Sequence, residues 1–211
     1  MRIDIVSDVV CPWCVIGYKQ LEHALYETGI QAEIQWHPFE LNPHMAEDGE
    51  NLRAHLAAKY GTTLEGSIQA RAKLTEMGAA LGFEFNYADD MRIYNTFRAH
   101  QLLHWADESD RTHDLKLSLF EAFFSFRENV SDIEVLSRIA GSVGLDQTEA
   151  MEVLSDQRYA DDVRKAENHW IVRGVGGVPA MIFNEQHLVT GAQGIENYTH
   201  ILRHLKANQA A

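Results

Sequence analysis

The sequence predicts an α/β fold in which a strand-helix-strand unit at the start and a hairpin with a helix at the end bracket a large all-helical insertion. Three observations carry this. Apolar, β-branched residues run up to a helix-starting proline near the amino terminus, a long middle stretch follows helical periodicity, and strand character returns late in the chain.

Ile3 to Val6 is short and apolar and reads as a buried strand. A helix follows at once: Pro12 suits the first helical position, where a missing N–H costs nothing, and Ile16, Leu21 and Leu25 supply an apolar stripe up to about Thr28. Gly29 stops it. Ala32, Ile34 and Trp36 alternate as a second strand, ended by Pro38 and the turn-prone Leu41-Asn42-Pro43, which completes a βαβ unit.

From about Asn51 to Arg173 the apolar residues recur at helical spacing, interrupted near Gly61, Gly82, Asp107 to Asp110, Asn129 and Gly144. Ser131 with Glu134, and Asp146 with Glu149, read as capping boxes at two helix starts. Past Gly174-Val175-Gly176-Gly177, the runs Ala180 to Phe183 and His187 to Thr190 read as a hairpin turning at Asn184-Glu185, and a helix from about Gly194 to Leu205 closes the chain. With no repeat or low-complexity linker, residues 44–173 read as an insertion into a core formed by 1–43 and 174–211.

A chain of 211 residues with 45% hydrophobic and 23% charged residues buries a self-sufficient core and lies outside the composition of disordered proteins. The net charge of -13, clustered at sites such as Glu47-Asp48-Gly49-Glu50 and Asp161-Asp162, repels phosphate backbones and anionic lipid, so neither nucleic acid nor a membrane is an expected partner. Acids at Asp4 and Asp8 interrupt what would be the apolar stretch of an export signal, and no run approaches about 18 apolar residues, so a cytoplasmic location is expected. Two cysteines three positions apart close too small a loop to act as a staple, so reactivity or metal binding must explain them.

Cys11 falls at the N-cap of the first helix, where free N–H groups and the helix dipole favour its thiolate and make it the candidate nucleophile. Cys14 lies one turn on along the same face, within disulfide reach, and is the candidate resolving residue. Pro12 and Trp13 between them supply no positive charge, and Trp13 reads as an apolar contact for substrate. The competing reading is half of a zinc site, but no second half is evident. His100 with His104 and His200 with His204 share helical faces without the glutamate of a zinc-hydrolase motif, and both pairs read as surface or helix-end residues. No metal is expected. The glycines at 174–177 lack nucleotide-loop spacing, whereas Pro179 opens a strand whose unpaired backbone, at Val178, could accept an extended substrate.

Ser7 to Cys14, Phe39-Glu40-Leu41-Asn42-Pro43, Asn95 to His100, Gly177-Val178-Pro179 and Gly191-Ala192-Gln193 together resemble the DsbA-like thioredoxin family, in particular its FrnE-type branch. The resemblance spans nearly the whole chain. It implies a thioredoxin-like core, a mixed sheet flanked by helices, with a cis bond before Pro179 beside the cysteines. It also implies disulfide reductase or isomerase activity on disulfide-containing proteins or small-molecule thiols, with no cofactor beyond the redox-active cysteines. The superfamily includes 2-hydroxychromene-2-carboxylate isomerases and kappa-class glutathione transferases, in which serine usually replaces the first cysteine. That branch is the alternative reading, against which Cys11 argues. Asn95 and the Val178 backbone match the positions where those enzymes hold glutathione, which makes glutathione a candidate co-substrate. The resemblance also implies a buried acid near Cys14, with Asp8 and Glu40 both open for the role.

Overall fold

The computed structural model describes residues 1–209, so the last two residues of the expected core segment 174–211 lie outside it. Strand β1 (Arg2–Ser7) leads to helix α1 (Pro12–Thr28) and parallel strand β2 (Glu33–Pro38); β5 (Ala180–Phe183) and β6 (His187–Thr190) complete a mixed four-stranded sheet in the order β2-β1-β5-β6. β5 runs antiparallel to both β1 and β6. Helix α9 (Ile195–Gln209) packs along α1.

Strand alternation sorts the core onto two faces. Ile3 and Ile5 of β1 join Met181 and Phe183 of β5 beneath Leu21 of α1 and Tyr198 and Leu202 of α9. Val6, Ala180 and Ile182 face the other way, against Trp170. Trp170 belongs to α8 (Ala160–Ile171), a helix of the insertion that packs on β2.

Between the two parts of the core run α2 (Leu52–Tyr60), α3 (Leu64–Ala80), α4 (Phe97–Ala106), α5 (Thr112–Phe124), α6 (Ile133–Ser142), α7 (Gln147–Asp156) and α8, with a single 3₁₀ turn at Asp107–Ser109. Their shared core takes in Phe120, Phe123 and Phe124, each worth roughly 1.5–3 kcal/mol on burial. It also takes in Val9, Val10, Cys11, Cys14, Val15 and Ile16. The start of α1 is thus plugged into the insertion, and this places the cysteines where sheet and insertion meet. Among the described residues no helix is long and apolar enough to cross a membrane.

The insertion departs from the sequence expectation in three places. A two-residue antiparallel ladder pairs β3 (Glu50–Asn51) with β4 (Arg92–Ile93). Gly49 permits the approach: a Cβ there would stand 2.1 Å from the Ile93 carbonyl oxygen. The N-cap of α6 is Asp132, whose carboxylate accepts from the Glu134 and Val135 amides, and not Ser131, whose hydroxyl donates to the Glu47 carbonyl. Both residues are competent caps, and the neighbouring loop engages one of them. The chain also breaks between α7 and α8 without a glycine or proline, through Gln157 at φ 54°, its N–H donated to the Val153 carbonyl. Asp146 caps α7 as expected.

Candidate active site

Cys11 is the N-cap of α1, in extended conformation at φ -92° and ψ 111°, with Pro12 starting the helix. Its N–H donates to the Asp8 carbonyl at 3.2 Å, and its own carbonyl accepts from the Cys14 N–H at 3.1 Å. These bonds fix the backbone and leave Sγ uncommitted to capping. Sγ lies 3.7 Å from the Val178 carbonyl oxygen, and the bond from Val178 to Pro179 is cis. Pro179 sits close against α1 because residue 17 is glycine: a Cβ on Gly17 would stand 3.3 Å from Pro179 Cγ.

Beside Cys11 a cavity of about 360 Å³ opens into the insertion, with Pro12, Trp13 and Val178 at its dithiol end. Trp13 is 41% exposed there, an apolar side chain left partly in solvent.

Both cysteines are buried, Cys11 at 3% exposure in the wall of the cavity and Cys14 at 0% beneath it. Burial, reinforced by the hydrogen bond to Cys11 and its proximity, pushes the Cys14 thiol well above the ordinary range, while the Asp8 amide and the Lys116 charge pull the other way. Burial likewise pushes the Asp8 carboxyl up, but its neighbours outweigh it and hold it below its usual value. The Leu41 N–H donates to Asp8 Oδ2 at 2.7 Å, and His100 Nε2 stands 3.4 Å from Oδ1, within ion-pair range but not aligned as a hydrogen bond. Burial lowers the Lys116 amine to about 8 against the opposing pull of Cys14, Asp8 and Cys11. Its Nζ lies 5.5 Å from the ring centre of Trp36 and 5.1 Å from that of Phe120. Asp8 is therefore the buried acid by Cys14. Glu40 is held by Arg164.

Of the residues singled out in the sequence, Cys11, Pro12, Trp13 and Val178 line one cavity, and Cys14 and Pro179 lie against it through Cys11 and Val178. Asn95 stands apart from that lining. Its side-chain carbonyl accepts from the Phe97 N–H and its amide donates to the Met45 carbonyl, a local turn ahead of α4. Of the pairs read as surface or helix-end residues, His104, His200 and His204 are exposed, whereas His100, in the first turn of α4, is 2% exposed and so not on the surface. Lys116 had one signal in the sequence: it shares a helix face with Leu119, Phe120 and Phe123, where a charge is out of place.

The DSBA-like thioredoxin domain model matches residues 2–203. The uncharacterized protein YwbO of Bacillus subtilis (strain 168) is 30% identical over 195 residues, covering 92% of each chain. The crystal structure of a probable DsbA oxidoreductase from Streptomyces coelicolor is 34% identical, with a TM-score of 0.91 over 96% of this chain and 88% of that one. The cytosolic disulfide reductase DsbM from Pseudomonas aeruginosa, solved with GSH, shares the fold at 14% identity, with a TM-score of 0.65 over 100% of this chain and 99% of that one. On its sequence and its fold alike, the chain belongs to the DsbA-like thioredoxin family of oxidoreductases.

Proposed function

We propose that the protein is a thiol-disulfide oxidoreductase of the disulfide reductase or isomerase type, with Cys11 as nucleophile and Cys14 as resolving residue. The single observation that carries this is the asymmetry of the pair: Cys11 Sγ faces a cavity beside Val178, and Cys14 is sealed beneath it with its thiol pushed up.

The Cys11 thiolate attacks one sulfur of a substrate disulfide, the S–S bond breaks, and the second sulfur leaves as a thiolate with the bonding pair. A mixed disulfide now holds the substrate at the cavity. Cys14 then loses its proton and attacks Cys11 Sγ, which releases the second substrate thiolate and leaves a Cys11–Cys14 disulfide. Substrate gains the two electrons that the dithiol loses. The Lys116 charge beneath offsets the transient Cys14 thiolate. The Val178 backbone, beside Cys11, offers a carbonyl to an extended substrate.

Disulfide-containing proteins and small-molecule disulfides are the proposed partners, and glutathione the proposed electron donor, on the strength of the shared fold of a reductase that binds GSH. A donor of that kind requires a compartment that keeps thiols reduced, so the proposal carries a cytoplasmic location. The test uses Cys14→Ser with a disulfide-bonded protein substrate. A mixed disulfide should accumulate at Cys11 and disappear on adding Cys11→Ser to the same chain. No trapped adduct, or an adduct independent of Cys11, would contradict the assignment.

A further inference from the structure

The cavity beside Cys11 has unequal ends. Leu52, Leu56, Leu74, Ile93 and Phe124 make its walls apolar, and Arg71 of α3 lines it with them. Arg71 is 9% exposed and makes no ion pair among the described residues. Its Nη1 donates to the Ala88 carbonyl at 2.9 Å, but Nε and Nη2 are shielded from solvent without any partner. The guanidinium lies 5.5 Å from the ring centre of Tyr87, a second cavity residue. Burial pushes the Tyr87 phenol up, with the Arg71 charge opposing and Cys11 adding to it, so Tyr87 lies within electrostatic range of both. Ser67, 2% exposed and also in the lining, has an unpartnered hydroxyl.

Two other polar residues of the lining, His55 and Asn42, are engaged with each other. His55 uses one ring nitrogen on Glu50 and the other on Asn42. Asp89, whose charge Arg71 feels, makes its ion pair with Arg53 at 2.7 Å. Buried donors are nearly always satisfied in native proteins, and a buried cation without a counter-charge is rarer still. An anion from outside the chain would supply the acceptor that Nε and Nη2 lack.

Resting on the dithiol reading above, we propose that the cavity binds a small amphiphilic disulfide, with its apolar or aromatic body against the leucines and Phe124, its carboxylate on Arg71 and its sulfur at Cys11. A volume of about 360 Å³ is within the range for small-molecule sites. The exchange is the one already described: the dithiol is oxidised to a disulfide and the ligand disulfide is reduced to two thiols. The cavity selects its substrate by charge complementarity, because a neutral body of the same size leaves Arg71 unpaired and a strongly polar one gains nothing from the walls.

The test measures single-turnover rates of the reduced protein with two aromatic disulfides, anionic dithiobis(nitrobenzoate) and neutral dithiodipyridine, for wild type, Arg71→Met and Arg71→Lys. Circular dichroism and melting check that each variant is folded. Arg71→Met should lower the ratio of the anionic to the neutral rate by about ten- to hundredfold, the range for a lost charge-assisted hydrogen bond, and Arg71→Lys should restore part of it. A ratio within twofold of wild type overturns the proposal. So does an equal loss toward a disulfide-bonded protein substrate, which would make the cavity a peptide site. Dithiodipyridine reacting through Cys11 reports the dithiol alone, so its failure to react with wild type strikes the proposed function itself, and this inference falls with it.

Discussion

The floor beneath Cys14 and the cavity beside Cys11 both contain buried charge, and they balance it differently. Under the dithiol, Asp8 meets His100 and the Leu41 amide, and Lys116 rests among Trp36 and Phe120 within range of both Asp8 and the cysteines. Acid, base and thiol there answer one another inside the chain. In the cavity, Arg71 has a carbonyl for one nitrogen and no carboxylate bonded to it among the described residues. A closed charge cluster serves an internal event, the formation of a Cys14 thiolate, whereas an open one awaits a ligand. The two regions share the same pair of sulfurs, and substitutions should separate them.

The largest effect belongs to the sulfur they share. Cys11→Ser should lower disulfide exchange by about three powers of ten or more, measured in single turnover, because the nucleophile has no substitute nearby. Residual exchange through Cys14 would show that the floor is open to substrate, and the comparison would fail.

The floor is next. Lys116 titrates near 8 in the folded chain and near the ordinary lysine value, about 10.4, when unfolded. Below about 8 both states carry the proton. Between about 8 and 10.4 the folded chain has released it and the unfolded chain still binds it, so this group makes folding stability rise with pH through that window. The stability of Lys116→Met should lack that contribution. The wild type minus variant difference should therefore climb with pH, at a slope approaching about 1.4 kcal/mol per unit, in denaturant unfolding at several pH values. A flat difference would mean that Lys116 is not held in a low-dielectric cluster. The same variant should slow release of the mixed disulfide severalfold at neutral pH, since the Lys116 charge that pulls the Cys14 thiol down is lost.

The smallest effect lies at the rim. Trp13→Ala removes a partly exposed side chain, so melting should move by no more than the shift of a surface substitution, within about 0.5 kcal/mol. Exchange with aromatic disulfides should fall by about threefold to tenfold, the worth of one lost aromatic contact. A large loss of stability would make Trp13 a core residue and not part of a binding surface.

Local chemistry made much of the fold legible. Pro12 and Gly29 punctuate α1 because one fits a helix start and the other adopts φ 63° at its end, and Asn184 and Glu185 turn the hairpin with both residues at positive φ. Breaks that depend on context were not legible: Gln157 in the left-handed region, and a ladder whose strands are 40 residues apart and two residues long. The site shows the same division. Cys11 and Cys14 announce themselves by spacing on a single helix, and Asp8 lies close enough to them in sequence to be weighed. His100, Lys116 and Arg71 come from three separate helices. Periodicity reports which face of a helix is buried, but not which charge from another helix will meet it there.

The most direct test of the division between the two sulfurs is a brief pulse of iodoacetamide on the fully reduced protein at neutral pH, followed by peptide mapping. Label should fall on Cys11, which lines the cavity, with Cys14 modified only after unfolding, because it lies outside that lining and its thiol is pushed up. Equal labelling of both residues, or label on Cys14 first, would contradict the assignment of nucleophile and resolving cysteine.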